Sequence, residues 1–114
     1  MKKVEIIFSH ERLTEVNNVL HKHGVGGMNF YNIRGRGSSK REPISPGRGI
    51  ERYVPEFAIK TKTEVVTSDE TANKIIKKIL DVMGTGANRS GKIFVYDVAE
   101  VYDLKNKKTG IAAL

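Results

Sequence analysis

The sequence contains no cysteine and no tryptophan, and only three of its 114 residues are proline. The lack of cysteine excludes disulfide frameworks, zinc fingers, iron–sulfur clusters and thiol nucleophiles. No apolar run approaches the ~18 residues that a membrane span requires, and the first residues lead into a strand-like segment instead of the apolar stretch of a signal peptide. These features predict a cytoplasmic protein that does not insert into a membrane.

Positive charge is abundant, with 20 Lys+Arg against 13 Asp+Glu and a net charge of +7. Six basic and two acidic residues lie between Arg34 and Arg52, so more than half of the net charge falls in one segment. An anionic ligand or partner is therefore expected, although the sign alone does not separate nucleic acid, nucleotide and acidic protein. The length fits a single domain, residues 1–114, with one core.

The first half of the chain predicts a strand, a helix and a second strand. Branched and aromatic residues favour strands over residues 2–8 and 28–34. A helix is expected from residue 12 to about 23, with Ser9 as its cap and Gly24 at its C-terminal end. Its apolar residues recur at spacings of three and four: Leu13, Val16, Val19 and Leu20.

The hydrophobic pattern then stops over about residues 35–54. Residues 35–53 contain four glycines and two prolines, with Ile44 and Ile50 as the aliphatic residues. A segment of this length without periodicity is unusual inside a small domain unless it serves a function. We therefore interpret this segment as a functional loop.

Periodicity returns in the second half. Alternation over residues 57–65 predicts a strand with one buried face, and residues 93–102 form the last predicted strand. Between them, Thr67 and Glu70 match a capping box that opens a helix ending before Gly84. The polar tail covers residues 103–114. The helix carries one apolar stripe: Ala72, Ile75, Ile76, Ile79, Leu80 and Met83.

The predicted fold is α+β, with the order βαββαβ of the ferredoxin-like unit and a long loop between strands 2 and 3. Both helices of such a fold pack on one face of the sheet. Apolar residues on both sides of the last strand indicate that the second face is also apolar. A chain this short would then need oligomerisation to cover that face.

Two glycine-containing basic segments are candidate anion sites. Residues 34–41 combine backbone freedom with guanidinium groups, and residues 85–92 place Arg89 and Lys92 beside a strand. The second segment is not a Walker motif, because its Gly91-Lys92 pair enters a strand instead of a helix. A solvated basic loop and an ordinary turn are the alternatives. The histidines lack metal-ligand spacing, and no catalytic residue or metal site is identified.

Two other function classes suit the same topology. A basic ferredoxin-like chain is compatible with an RNA-binding module, but residues 57–61 lack the aromatic motif that such a module stacks on bases. A small hydrolase would need a positioned nucleophile or base, and none is identified. We therefore expect neither nucleic-acid binding nor enzymatic activity.

Six short segments spread over the whole chain match the pattern of a known family: MKKVE at 1–5, GVGGM at 24–28, GRG at 35–37, TG at 85–86, GKIFVYDV at 91–98 and AA at 112–113. With these segments the chain resembles the P-II nitrogen-regulatory signal proteins. The resemblance implies a homotrimer that binds ATP or ADP between subunits, with Mg and 2-oxoglutarate as further ligands. It also implies that the long loop docks onto an ammonium transporter, a metabolic enzyme or a transcription regulator.

The resemblance assigns roles to individual positions. The residues expected near adenine are Ile7, Met28, Asn29, Glu64 and Val66. The residues expected at the loop base and around the phosphates are Gly35, Arg36, Gly37, Arg89, Ser90, Gly91 and Lys92, joined by Lys105 from the tail of a neighbouring subunit. Lys60 matches the lysine that pairs with a carboxylate of 2-oxoglutarate.

The sequence also departs from the family pattern. Ser38 and Ser39 stand where the family places a basic residue and a glutamine that helps hold Mg and 2-oxoglutarate, and Asp103 replaces a basic tail residue. The second ligand is therefore open between 2-oxoglutarate and another small anion or nucleotide, such as bicarbonate, AMP or a cyclic nucleotide. Ser39, Lys40 and Lys60 are the candidate effector contacts. Tyr53 is either a modified residue or an anchor for the returning loop.

Overall fold

The computed structural model describes residues 1–38, 43–44, 47–49 and 51–114. The main elements in chain order are β1 (Lys2–Ser9), α1 (Leu13–Lys22), β2 (Asn29–Gly35), β3 (Ala58–Thr67), α2 (Asp69–Met83) and β4 (Gly91–Asp97). Short 3₁₀ turns cover His10–Arg12 and Gly110–Ala113. This order confirms the predicted βαββαβ fold.

The strands form one antiparallel sheet in the order β2-β3-β1-β4. β1 is central, and its Val4 lies opposite Val65 of β3 and Val95 of β4. β2 and β4 are the edge strands. In this arrangement β2 ends, β3 begins and β4 begins at the same end of the sheet, which brings the described base of the long loop close to the segment that precedes β4.

Both helices pack on one face of the sheet. Period-two residues of β1 and β3 point into this layer, where they meet the apolar stripes of α1 and α2. The buried apolar residues of the described chain are Val4, Ile6, Phe8, Val16, Val19, Leu20, Val65, Ala72, Ile75 and Ile79. Three threonines of β3 also lie on this buried face: Thr61, Thr63 and Thr67.

The opposite face of the sheet is charged at its centre, so the prediction of a second apolar face is wrong there. Glu5 lies directly opposite Glu64, a pairing that like charges disfavour. Lys62 offsets it, with its Nζ 3.1 Å from Glu5 and 4.0 Å from Glu64, and Lys3 lies 3.8 Å and 3.4 Å from the same two carboxylates. Exposed aromatic surface on this face lies on the two edge strands, at Phe94 and Tyr96 of β4 and at Tyr31 of β2.

The start of α2 differs from the predicted capping box. Thr67 is the last residue of β3, paired with Lys2, so it is buried and does not cap the helix. Ser68 is the cap instead, and its Oγ accepts the Thr71 amide at 3.2 Å. At the other end, Leu80 is 61% exposed, so it was wrongly assigned to the buried stripe.

The boundaries of α1 also differ from the prediction. The Ser9 side chain makes no capping hydrogen bond, because the chain enters α1 through the 3₁₀ turn. Gly24 follows the helix with a φ of +75°, as expected for a glycine at this position.

Two predicted strands change their limits. β4 ends at Asp97 instead of residue 102, because β1 begins at Lys2 and offers no partner strand beyond it. β3 begins one residue later than predicted, which leaves Phe57 outside the strand and 54% exposed. Within the described residues, no helix has the length and apolar character needed to cross a bilayer.

Candidate functional site

A cleft of about 440 Å³ lies on the open sheet face, at the end where the long loop leaves β2. All four strands contribute to it, together with the loop base and the segment before β4. Nine of the predicted site residues line this cleft: Ile7, Gly35, Arg36, Gly37, Lys60, Arg89, Ser90, Gly91 and Lys92. Ile33, Ser38 and Phe94 complete the lining. Its volume suits a nucleotide-sized ligand.

The cleft is strongly basic. Four of its lining residues carry a positive charge: Arg36, Lys60, Arg89 and Lys92. No carboxylate is among the described residues that line it. Ile7, Ile33 and Phe94 supply an apolar surface beside these charges. Cations grouped around apolar surface are suited to a ligand with both an anionic part and a ring.

The segment 84–90 is shaped by local hydrogen bonds, and we call it the phosphate loop because the resemblance predicts that it contacts phosphates. The Thr85 hydroxyl donates to the Val82 carbonyl at 3.2 Å, and Arg89 Nη1 donates to the Gly84 carbonyl at 3.4 Å. Gly86 and Asn88 have φ values of +80° and +57°, which reverse the chain between α2 and β4. Asn88 Nδ2 also donates to the Glu11 carboxylate, so the loop is attached to the segment before α1.

Gly91 is required by a close approach of two strands. A Cβ atom at this position would collide with the Ile7 carbonyl oxygen of β1. The lack of a side chain therefore lets β4 begin against β1, directly after the phosphate loop. This contact places Ser90 and Lys92 at the cleft.

The other predicted adenine contacts lie in a second pocket, at the opposite end of the sheet. Met28, Asn29, Glu64 and Val66 line it, beside the C-terminal residues Ile111, Ala113 and Leu114. Lys60 in the cleft and Glu64 in the second pocket are four residues apart on β3, or about 13 Å. One chain thus presents the predicted nucleotide contacts as two separate half-sites.

Two of the described site predictions, Lys105 and Tyr53, lie outside both pockets. Lys105 is exposed in a turn of the tail, where Asp103 Oδ1 accepts the amides of Lys105 and Asn106 at 2.8 and 2.9 Å. Asp103, which departs from the family pattern, therefore stabilises this turn. Tyr53 exchanges backbone hydrogen bonds of 2.7 and 2.9 Å with Ile44 across the loop.

The candidate effector residues Ser39 and Lys40 lie outside the described residues. Lys60 is described and lies in the cleft. Among the described residues, no group of three or more acidic or histidine side chains is arranged to hold a metal ion.

Comparison with known proteins matches this chain to one family. The family model described as Nitrogen regulatory protein P-II matches residues 1–108. The chain belongs to the P-II family.

P-II relatives and structures resemble the chain over nearly its full length. It is 38% identical to a Nitrogen regulatory protein P-II of Rhizobium meliloti over 114 residues, which cover 100% of both chains. It is 37% identical to one of Pasteurella multocida, covering 92% of each. The structure of B. subtilis GlnK has a TM-score of 0.76 at 26% identity, covering 99% of this chain and 97% of GlnK. A B. subtilis GlnK-ATP complex has a TM-score of 0.75 at 27% identity, covering 99% and 96%.

Sequence reasoning missed the residues that support the phosphate loop of this P-II chain. Arg12 and Glu11 both contact it, although neither lines the cleft. One signal was available in the sequence. Arg12 precedes Val16 by four residues and therefore lies on the apolar stripe of the first helical segment, where a charged residue is unusual.

Proposed function

We propose that this chain is a non-enzymatic, nucleotide-responsive signal regulator that binds ATP or ADP and controls nitrogen or carbon metabolism in the cytoplasm. Its long loop would dock onto a target such as an ammonium transporter, a metabolic enzyme or a transcription regulator. Membership of the P-II family and the similarity to a GlnK-ATP complex support this function. The observation that carries the proposal is the basic cleft at the base of the long loop.

The nucleotide polyphosphate would occupy this cleft. Arg89 and Lys92 lie at the end of the phosphate loop, while Arg36 and Lys60 approach from β2 and β3. Guanidinium groups can donate two hydrogen bonds to phosphate oxygens, and the backbone amides of the phosphate loop add further donors. The apolar surface of the cleft would adjoin the nucleoside.

The two half-sites support a homotrimer. One chain presents its phosphate contacts and its second pocket about 13 Å apart along β3. Head-to-tail packing of subunits would bring the cleft of one chain against the second pocket of the next, and such packing closes into rings. A neighbour's Lys105, exposed at the tip of its turn, could then reach the phosphates.

Arg36 would couple nucleotide binding to the long loop. It lines the cleft, and it is also paired with Glu56 on the segment that returns from the loop to β3. A phosphate group would compete with Glu56 for the Arg36 guanidinium. Binding would therefore shift the population of loop conformations, and only one of these would fit the target.

Mg and the second effector would both bind beside the nucleotide. No carboxylate lines the described part of the cleft, so Mg arriving with ATP would be held by phosphate oxygens and water. Lys60 could pair with a carboxylate of 2-oxoglutarate or with a phosphate. The Ser38 hydroxyl in the cleft leaves another small anion or AMP as the alternative second signal.

The decisive variant is Arg89→Ala combined with Lys92→Ala. Loss of two of the four cleft cations should weaken ATP and ADP binding at least about a hundredfold, because each charge-assisted phosphate contact contributes about 1.5–3 kcal/mol. Isothermal titration calorimetry measures the change. Lys77→Ala combined with Lys78→Ala removes the same charge from the exposed side of α2 and should leave the affinity unchanged.

Titrations of the unmodified protein identify the second ligand. ATP and ADP are each titrated alone, with Mg, and with Mg and 2-oxoglutarate. Tighter ATP binding with 2-oxoglutarate would assign it as the effector despite Ser39, and no change would assign the second signal to another molecule. If neither nucleotide binds, or if the folded Arg89/Lys92 variant binds ATP normally, the proposed site is wrong.

A further inference from the structure

Arg12 is a buried arginine that the nucleotide site described above does not use directly. Its side chain is 8% exposed, although it carries a full charge. Glu15, one turn later, pairs with it through two hydrogen bonds, from Arg12 Nε at 2.9 Å and from Nη2 at 2.7 Å. Burying a charge is costly unless the charged group is paired and hydrogen-bonded. This pair, however, occupies only part of the guanidinium.

The remaining donors of Arg12 point away from its own helix. Nη2 donates to the Val82 carbonyl at 3.0 Å and Nη1 to the Met83 carbonyl at 3.3 Å, at the C-terminal end of α2. The last turn of α2 contains no basic residue of its own. Arg12 therefore supplies the cation that stabilises the negative end of this helix and the carbonyl groups of its last turn.

The same guanidinium contacts the phosphate loop. Nη1 donates to the Ala87 carbonyl at 3.3 Å, and a Cβ on Gly86 would lie 3.7 Å from Nη2. One planar group thus holds both the end of α2 and the middle of the loop. Two residues after Ala87, the chain reaches Arg89, which lines the cleft.

We propose that Arg12 is a positioning residue that fixes the phosphate loop so that Arg89 and Lys92 face the bound nucleotide. The inference rests on the proposed function, because it assigns those two residues to phosphate. Arg12 itself does not line the cleft and would not touch the ligand. It acts through the carbonyl groups of Val82, Met83 and Ala87.

The test compares two substitutions of Arg12 with a control at Glu15. Arg12→Met keeps a long side chain but removes every hydrogen bond, whereas Arg12→Lys keeps the charge without the planar fork. Glu15→Gln weakens the ion pair and leaves the three carbonyl contacts in place. The affinities for ATP and AMP are measured by calorimetry, and amide hydrogen exchange is measured without nucleotide.

Arg12→Met should weaken ATP binding about tenfold or more, while AMP binding, which depends less on the phosphate loop, changes less than about threefold. Amides of residues 85–90 should exchange faster, with β1 and β3 unchanged. Arg12→Lys should bind ATP more tightly than Arg12→Met but less tightly than the unmodified protein. The ATP affinity of Glu15→Gln should stay within about twofold of that of the unmodified protein.

Unchanged exchange in the loop, or an equal loss of ATP and AMP affinity, would overturn the proposal. If Arg12→Met does not fold, Arg12→Lys tests the proposal instead. It should still lower the ratio of ATP to AMP affinity and speed amide exchange at residues 85–90. If the unmodified protein binds no nucleotide, the proposed function fails. The exchange experiment still tests whether Arg12 holds the loop.

Discussion

Thr61 and Thr63 lie two positions apart on the buried face of β3, but their hydroxyl groups differ in environment. The Thr61 hydroxyl donates to Asn32 Oδ1 at 3.3 Å. Thr63 is fully buried, and its Oγ1 has no hydrogen-bond partner among the described residues. Because a buried polar atom without a partner is costly, Thr63 is a weak point in the core.

Thr63→Val should therefore raise the free energy of unfolding by about 1 kcal/mol, since it replaces an unpaired hydroxyl with a methyl group of similar size. Urea unfolding at a fixed protein concentration measures the change. Thr61→Val is the matched control and should be neutral or destabilising, because it removes a hydrogen bond. Equal stabilisation by both variants would show that the hydroxyl of Thr63 is not the cause.

The pair between Arg12 and Glu15 makes stability depend on pH. Hydrogen bonds from Arg12, opposed in part by desolvation, hold the pKa of Glu15 below its ordinary value of 4.5. The folded chain then binds fewer protons at this site than the unfolded chain. Stabilisation by the pair is complete above the ordinary pKa and is lost as the pH falls through the lowered pKa.

Glu15→Gln should consequently lower the stability at pH 7 and have progressively less effect below about pH 4. Thermal unfolding of both proteins between pH 7 and pH 3 tests this. Asp81→Asn removes a carboxylate that has no ion pair among the described residues, and it is the control for the loss of one negative charge. A Glu15→Gln deficit that stays constant across this range would contradict the assigned pair.

At the scale of elements, the long loop and the cleft are connected through the ends of β2 and β3. Arg36 follows β2 and Glu56 precedes β3, so their ion pair spans the base of the loop. Both side chains are more than half exposed, and exposed pairs contribute little to stability. A phosphate bound in the cleft, as proposed, would therefore displace Glu56 with little loss of folding free energy.

Glu56→Gln should tighten ATP binding about twofold to fivefold, because it releases Arg36 from a competing carboxylate. Calorimetric titration with ATP measures the effect. Glu51→Gln makes the same change in charge farther along the loop and should have less influence. Weaker ATP binding by Glu56→Gln would show that Glu56 supports the cleft and does not compete with the phosphate.

At the scale of the whole molecule, the two half-sites give the proposed trimer a specific test. Arg89→Ala with Lys92→Ala disables the cleft, and Val66→Glu places a charge in the second pocket. Neither protein alone should bind ATP. Co-expressed mixed trimers should regain about a quarter of the sites, since random assembly pairs an intact cleft with an intact second pocket at that frequency.

The amount of recovered binding distinguishes a shared site from a site within one chain. Binding that is absent from mixed trimers of confirmed composition would contradict a site shared between subunits. Native mass spectrometry of the unmodified protein checks the assembly itself. It should give about 38 kDa, three chains of 12.7 kDa.

Much of the fold could be predicted from hydrophobic periodicity. Alternation in β3 and the apolar spacing of α1 and α2 identified these elements. An element with one buried face repeats its apolar residues every two positions in a strand and every three or four positions in a helix. The limits were less predictable. Thr67 resembled a cap, but its pairing with Lys2 extends β3 through it and moves the cap to Ser68. Only the register of neighbouring strands decides such a boundary.

The candidate site was predictable where the family pattern names residues, and nine of those residues line one cleft. The supporting contacts were not predictable, because they join distant segments. Arg12 reaches carbonyl groups 70, 71 and 75 positions away. Carbonyl groups are present in every residue, so no sequence pattern marks which of them accept its hydrogen bonds.

The sequence by itself determined the order of elements, the basic character of the loop region and membership of the P-II family, because periodicity, charge and short motifs are local properties. Tertiary structure decided that the open face of the sheet is charged at its centre, that the predicted nucleotide contacts are divided between two pockets and that Arg12 contacts the segment before β4. These features depend on strand register and on the meeting of remote segments, which exist only after the chain has folded.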